Sequence, residues 1–306
     1  MKKILLHNYI KELKNSLAKK YPDERLQEQT AWWMIEAITK KNRIQFLINS
    51  ELKINDSEQA MIDHWIEQQV KYHVPLQYLL GSVPFCSTEI IVEPPTLIPR
   101  QETEEWCNWL IEKLSPLKSS SLRVLDLCSG SGCIGIALAK GLPQSQVYSI
   151  DISKKAISLG KKNASHNKIS NITFIESDLF TNLGPNSTFD LIIANPPYIS
   201  DEYWNSLDPS VTRWEDPQAL ISNNAGLEII TRIISETKKY LHYNKKFIAL
   251  GIPQLILEID SMQSKTVKNL LMQQKFTTIT SKLDLFGNDR IVMGNIEYVA
   301  TIKDKK

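Results

Sequence analysis

The chain of 306 residues has no apolar run of the length a bilayer needs, and only Ile4-Leu5-Leu6 stand between the first lysines and His7. A membrane span takes about 20 apolar residues and a secretory leader a core of about 7–15. A cytoplasmic protein with no membrane contact is therefore expected. Cysteine is scarce: the four are Cys86, Cys107, Cys128 and Cys133, none in a Cys-x-x-Cys pair, and the five histidines are scattered. That argues against a zinc site and a disulfide framework, and for free thiols and no metal. An excess of one charge is missing as well, since 36 Lys and Arg meet 34 Asp and Glu. Bulk charge thus gives no sign of a polyanion-binding surface. The lysine pairs Lys154-Lys155, Lys161-Lys162 and Lys245-Lys246 and the Lys-Asp-Lys-Lys tail fit solvated faces. There is no internal repeat and no low-complexity tract.

What is present is an ordinary globular composition, 42% apolar and 23% charged, on a chain long enough for two domains. Residues 1–74 show apolar spacings of three and four in "YIKELKNSLAKK", "RLQEQTAWWMIEAITKK", "RIQFLINS" and "SEQAMIDHWIEQQVKY". They predict a small all-α bundle, with Asp56 or Ser57 capping its last helix. Residues 75–104 hold five prolines and short β-prone runs such as "EIIVE". This stretch predicts a linker with a β-hairpin.

From 105 to 306 strands and helices alternate. Strands are expected at "LRVLDLC", "QVYSID", "ITFIESD", "FDLIIAN" and "KKFIALG", and a closing hairpin at "TTITSKLDLF" and "RIVMGNI". Such alternation predicts an α/β fold with a doubly wound, mostly parallel sheet, here of seven strands. Ligands of such sheets bind at the carboxyl ends of the strands.

Four of those ends carry the chemistry. After the first strand comes Cys128-Ser129-Gly130-Ser131-Gly132, a glycine turn into a helix whose first N–H groups are free donors. It is shorter than a dinucleotide fingerprint, and a plain strand–helix turn is the alternative. Asp151 ends the second strand, where an acid suits ribose hydroxyls, although Asp151 or Ser153 could equally cap the next helix. Asp178-Leu179 follow the third strand, and Asp178 can accept from an adenine amino group or serve a turn. Asn195-Pro196-Pro197-Tyr198 stop the fourth strand abruptly, because proline cannot donate to a ladder. The Asn195 side-chain oxygen and the Pro196 carbonyl form a rigid pair of acceptors for a planar NH2, and the Tyr198 ring can pack on its plane.

These residues together resemble a class I S-adenosylmethionine-dependent methyltransferase. Nearly the whole chain resembles the HemK/PrmC family of protein-glutamine N-methyltransferases. The resemblance rests on "PLQYLLG" (75–81), "TLIPRQETE" (96–104), "NPPY", "GLEIITRII" (226–234) and "DLFGNDRIV" (284–292). It implies S-adenosyl-L-methionine as cofactor and a class 1 peptide chain release factor as partner, methylated on the glutamine of its Gly-Gly-Gln motif. It also implies a cofactor site at Cys128, Ser129, Gly130, Ser131, Gly132, Asp151, Asp178, Leu179 and Asn195. Catalysis and substrate binding fall to Asn195, Pro196, Pro197 and Tyr198. The helical bundle then serves release factor recognition, in a monomer with no direct nucleic-acid contact.

The chain departs from the family pattern at Gln101, where proline is usual, and at Leu179, where an aromatic is often found. "LGIPQ" (250–254) stands for "EIG..Q", so the end of strand five is expected to lack an acid. An adenine amino-group methyltransferase is the rival enzyme, since adenine carries a similar NH2, but near-neutral charge and the "LIPRQETE" linker speak against it. A translation-associated binding module without catalysis is a further alternative, disfavoured by the intact loop, acid and NPPY.

Overall fold

A computed structural model describes residues 2–48 and 51–297. The chain divides into two compact units, Met1–Gly81 with Asp208–Trp214, and Ser82–Leu207 with Glu215–Lys306.

The first unit is helical, with one addition. Strand β1 (Lys2–Leu5) leads into helix α1 (Leu6–Leu17), followed by α2 (Glu24–Thr39), α3 (Arg43–Ile48), β2 (Glu51–Ile54), α4 (Asp56–Tyr72) and α5 (Leu76–Leu80). β1 and β2 pair antiparallel, Lys2 opposite Ile54. Helical periodicity gave no hint of these strands: each is four residues long and has meaning only beside the other. α1 buries Leu6, Tyr9, Leu13 and Leu17, a stripe at three- and four-residue spacing, against Ala31, Met34 and Ile35 of α2 and Ile62 of α4. Trp65 is part of this core, while Trp32 and Trp33 are half-buried at its edge.

The cap of α4 is Asn55, not Asp56 or Ser57. Its side chain accepts from Glu58 N at 2.9 Å, and Glu58 reaches back to Asn55 N at 2.8 Å, a reciprocal capping box. The unit extends to Gly81 rather than stopping at 74, because Leu76 of α5 joins the same core. The excursion Asp208–Trp214 is held in it by Lys20 Nζ on Asp208 at 2.7 Å and by Trp214 Nε1 donating to the Tyr72 carbonyl at 3.0 Å.

In the second unit a hairpin of β3 (Ser82–Phe85) and β4 (Thr88–Ile91) precedes α6 (Gln101–Leu114). There follow β5 (Arg123–Leu127), α7 (Cys133–Gly141), β6 (Gln146–Asp151), α8 (Lys154–His166), β7 (Ile172–Glu176) and β8 (Leu191–Ala194). Beyond β8 come the single turns α9 (Pro209–Thr212), inside the excursion, and α10 (Asn223–Gly226). The chain closes with α11 (Glu228–Thr237), α12 (Lys245–Ala249), β9 (Leu255–Glu258), α13 (Ser264–Gln273), β10 (Thr277–Leu283) and β11 (Asp289–Asn295).

The seven-stranded sheet has the order β10-β11-β9-β8-β5-β6-β7. β5 to β9 are parallel and the last two strands antiparallel. β5 lies between β6 and β8, so strand order reverses there and a crevice opens at its carboxyl end. The centre of the sheet is buried on both faces: Leu125, Leu127, Ile192, Ala194, Leu255 and Leu257 fill one, and Val124, Leu191, Ile193 and Ile256 the other.

One strand lies elsewhere than the pattern predicted. "KKFIALG" is helix α12, whose N-cap Asn244 accepts from Lys246 N at 3.0 Å and from Phe247 N at 3.4 Å. The fifth strand is "LILE", paired with β8 through Ile192–Leu255 and with β11 through Ile291–Glu258. Both runs are short and apolar, and periodicity alone does not separate a buried strand from a buried helical turn at that length. Among the described residues no helix is long and apolar enough to cross a membrane, and all four cysteines are free.

Candidate active site

The carboxyl ends of β5, β6, β7 and β8 open on one cavity of about 400 Å³. Of the residues singled out in the sequence, Cys128, Gly130, Asp151, Asp178, Leu179, Asn195 and Pro197 line it. Ser129, Ser131, Gly132, Pro196 and Tyr198 do not, and stand behind the wall.

The turn after β5 is wound tightly, with Cys128, Gly130 and Gly132 at φ 57, 53 and 80. Gly132 has a second constraint: a Cβ there would lie 2.9 Å from the Phe174 ring. Ser129 N donates to the Ile150 carbonyl at 2.9 Å, and the Ser131 carbonyl accepts from Asn163 Nδ2 at 3.0 Å, so both serines tie the turn to its surroundings. The Ser129 hydroxyl oxygen is buried without a protein partner. Burial pushes the Cys128 thiol well above its usual range, so it faces the cavity as a neutral group.

Asp151 takes two backbone hydrogens, from Gly130 N and Ser153 N, each at 2.8 Å. It thus locks the glycine turn to the end of β6, while Ser153, not Asp151, is the N-cap of α8. Burial raises its pKa, and the two N–H groups oppose that shift. Behind it Asp126 of β5 is fully buried, accepting from Gly135 N at 3.0 Å and Ser149 Oγ at 3.1 Å, with its other oxygen unpartnered. Burial pushes its pKa up to about 7.

Asp178 pairs with Arg232 Nη2 of α11 at 2.8 Å, and both line the cavity. Arg232 stands within "GLEIITRII", but nothing in that motif marked the arginine as facing a ligand. Leu179 follows at φ 48 and is buried against the core. Thr96 and Leu97 of the "TLIPR" stretch and Asp216 also line the cavity. Arg100 of that stretch holds the buried Glu215 at 2.6 Å, and Asp216 N donates to the Pro95 carbonyl at 2.7 Å.

The Asn-Pro-Pro-Tyr segment is braced from three sides. Asn195 Nδ2 donates to Thr103 Oγ1 at 3.4 Å. The Tyr198 hydroxyl donates to Glu258 Oε1 at 3.3 Å, and its carbonyl accepts from Gln263 Nε2 at 2.9 Å. Glu258 is the last residue of β9, so the end of strand five does carry an acid. The expectation that it lacked one followed from placing that strand eight residues too early. "EIDSMQ" (258–263) has the Glu-Ile and the glutamine of "EIG..Q" at the same spacing, and that match was the signal available in the sequence.

A seven-stranded sheet of this order, with a glycine turn after its central strand and an acid closing the next, defines a class I S-adenosylmethionine-dependent methyltransferase. Comparison with known proteins agrees. Residues 91–207 match the model of the methyltransferase small domain, and residues 8–81 match that of the PrmC N-terminal domain. The release factor glutamine methyltransferase of Flavobacterium psychrophilum is 34% identical over 95% of this chain and 99% of its own length. That of Thermodesulfovibrio yellowstonii is 33% identical over 84% of this chain and 88% of its own. The chain belongs to the release factor glutamine methyltransferase family.

Among solved structures, the hMettl16 catalytic domain in complex with the MAT2A 3′UTR hairpin 1 aligns over 87% of this chain and 91% of its own. Its TM-score is 0.53 at 16% identity, a likeness of fold alone.

The cofactor is S-adenosyl-L-methionine, and the cavity suits it. A carboxylate (Asp151), apolar walls (Ile150, Ile152, Leu179) and an aspartate–arginine pair line the cavity. A Cβ on Gly130 would meet no protein atom within 4 Å.

Proposed function

We propose that the enzyme methylates the side-chain amide nitrogen of the glutamine in the Gly-Gly-Gln motif of class 1 peptide chain release factors. The observation that carries this reading is Asn195, which lines the cofactor cavity at the end of β8 with its NH2 turned to Thr103. Its oxygen is left to accept a hydrogen from a planar amide. The family names of the relatives supply the substrate.

An amide nitrogen is a weak nucleophile because its lone pair is delocalised into the carbonyl. Asn195 Oδ1 and the Pro196 carbonyl each take one of its hydrogens, so the lone pair develops in the remaining direction. Pro196 and Pro197 keep those acceptors in place with little entropy left to lose, and the Tyr198 ring packs on the amide plane. When bound, the cofactor would supply an electrophilic methyl on its sulfonium sulfur, which would leave as a thioether once that methyl is on the nitrogen. The N-methylated nitrogen then gives up its extra proton to water. Orientation and fixed dipoles carry the acceleration, and no strong base is required.

Asp151 holds the ribose hydroxyls in this reading, and Asp178 with Leu179 holds the adenine. In this reading the helical unit recognises the factor, and the enzyme works in the cytoplasm beside the translation machinery.

The test is mass spectrometry of a release factor incubated with the protein and isotopically labelled cofactor. One labelled methyl on the Gly-Gly-Gln glutamine is expected. No label there, or robust transfer to an adenine-containing oligonucleotide instead, overturns the reading.

A further inference from the structure

Three hydrogen-bond donors converge on one buried carboxylate. Glu258 Oε2 accepts from Thr103 Oγ1 and from Trp106 Nε1, each at 2.7 Å, and Oε1 accepts from the Tyr198 hydroxyl at 3.3 Å. Glu258, Thr103 and Trp106 are all at most 2% exposed. The carboxylate therefore has no water to turn to, and each donor would be left unpaired without it.

The number of hydrogens available decides what lies beyond. An indole N–H can only donate, and Thr103 has one hydroxyl hydrogen, which points at Glu258. The Thr103 oxygen can then only accept from its other neighbour, Asn195, 3.4 Å away. So Asn195 must offer its NH2 to Thr103 and turn its oxygen the other way. The opposite rotamer would set two oxygens against each other with no hydrogen between them. It would also present an NH2 to the NH2 of a substrate amide. Burial raises the pKa of Glu258. The neutral acid keeps the same arrangement, because its proton has Oε1 to occupy, beside the Tyr198 hydroxyl.

We infer that Glu258, acting through Thr103, is a positioning residue that sets the side-chain amide of Asn195 with its oxygen toward the acceptor nitrogen. The inference depends on the proposed function only for what that oxygen meets; the orientation itself does not.

Glu258→Gln disturbs three bonds at once and invites misfolding, so Thr103→Val, which removes one hydroxyl at nearly constant shape, is the cleaner probe. In the full-length protein with cofactor saturating, Thr103→Val should slow single-turnover methyl transfer to a release factor about tenfold or more. Cofactor affinity should stay within about twofold, and Thr103→Ser should restore the rate to within about threefold of the parent. In an Asn195→Ala background, Thr103→Val should add no further loss, because its effect runs through Asn195.

A second measurement does not need activity. The Asn195 side-chain NH2 signals in a ¹⁵N–¹H spectrum, assigned by their absence in Asn195→Ala, should shift and exchange faster in Thr103→Val. A parental rate in Thr103→Val, a loss that persists in full without Asn195, or unchanged NH2 signals overturns the inference. Should the parent fail to methylate the release factor at all, the proposed function falls, and the spectra still decide the orientation.

Discussion

Gly226 leaves the space that the backbone carbonyl of Tyr198 occupies; a Cβ at residue 226 would overlap that oxygen. Gln263 Nε2 spans the same junction, donating to the Tyr198 carbonyl at 2.9 Å and to the Ala225 carbonyl at 3.0 Å. The loop that follows Asn-Pro-Pro-Tyr is thereby clamped to the turn before α11. Gly226 also sits at φ 80, a conformation that costs other residues about 1–3 kcal/mol.

Gly226→Ala should therefore lower both stability and methyl transfer. The expected fall in unfolding free energy is about 1–3 kcal/mol from backbone strain alone, read by denaturant titration. A variant with parental stability and parental turnover would show that the clamp does not seat Tyr198.

Asn195→Ala removes one acceptor and the orientation it enforces. A loss on the order of 3 kcal/mol of transition-state stabilisation, about 100-fold in single-turnover rate, is expected with cofactor binding retained. Tyr198→Phe should be milder, since the proposed geometry uses the ring against the amide and the hydroxyl makes only a 3.3 Å bond to Glu258. The geometry argued for the acceptor fails if Tyr198→Phe proves the slower of the two.

Asp151→Ala should weaken S-adenosyl-L-methionine binding at least about tenfold, or about 1.4 kcal/mol. Two effects add: the acceptors proposed for the ribose go, and the Gly130 and Ser153 N–H groups lose their partner. Calorimetry on the folded variant checks this, and unchanged affinity would remove Asp151 from the cofactor site.

Asp126 makes stability depend on pH. Burial raises its folded pKa from an ordinary 3.8 to about 7, so the folded protein holds this proton more tightly than the unfolded chain does. The stability associated with it is complete below the unfolded value and is lost as the pH climbs through about 7. Asp126→Asn keeps an acceptor for Gly135 N and Ser149 and abolishes the titration. Between pH 5 and 8, roughly the window bracketing that value, the parent should lose stability relative to Asp126→Asn. Parallel stability–pH curves for the two proteins would exclude Asp126 as the titrating group.

Local chemistry was enough to place most of the site. A proline pair must stop a strand, left-handed backbone at Gly130 and Gly132 demands glycine, and an acid after an apolar strand lands at the sheet's carboxyl edge. Those constraints act within a few residues, so Asn195, Asp151 and the glycine turn were legible in the sequence, as was the alternation that predicts a doubly wound sheet. Periodicity did not decide which of two short apolar runs became the fifth strand. "KKFIALG" and "LILE" have similar local character, and beyond the "EIDSMQ" match into which the second run leads, pairing with β8 and β11 separates them. That choice put Glu258 at the strand's end, 155 residues in sequence from Thr103, which it holds at 2.7 Å. The same physics explains the β1–β2 pair and the Asp208–Trp214 excursion. Each is stabilised by partners distant in the chain, and a local pattern carries no record of which distant segment will come to lie beside it.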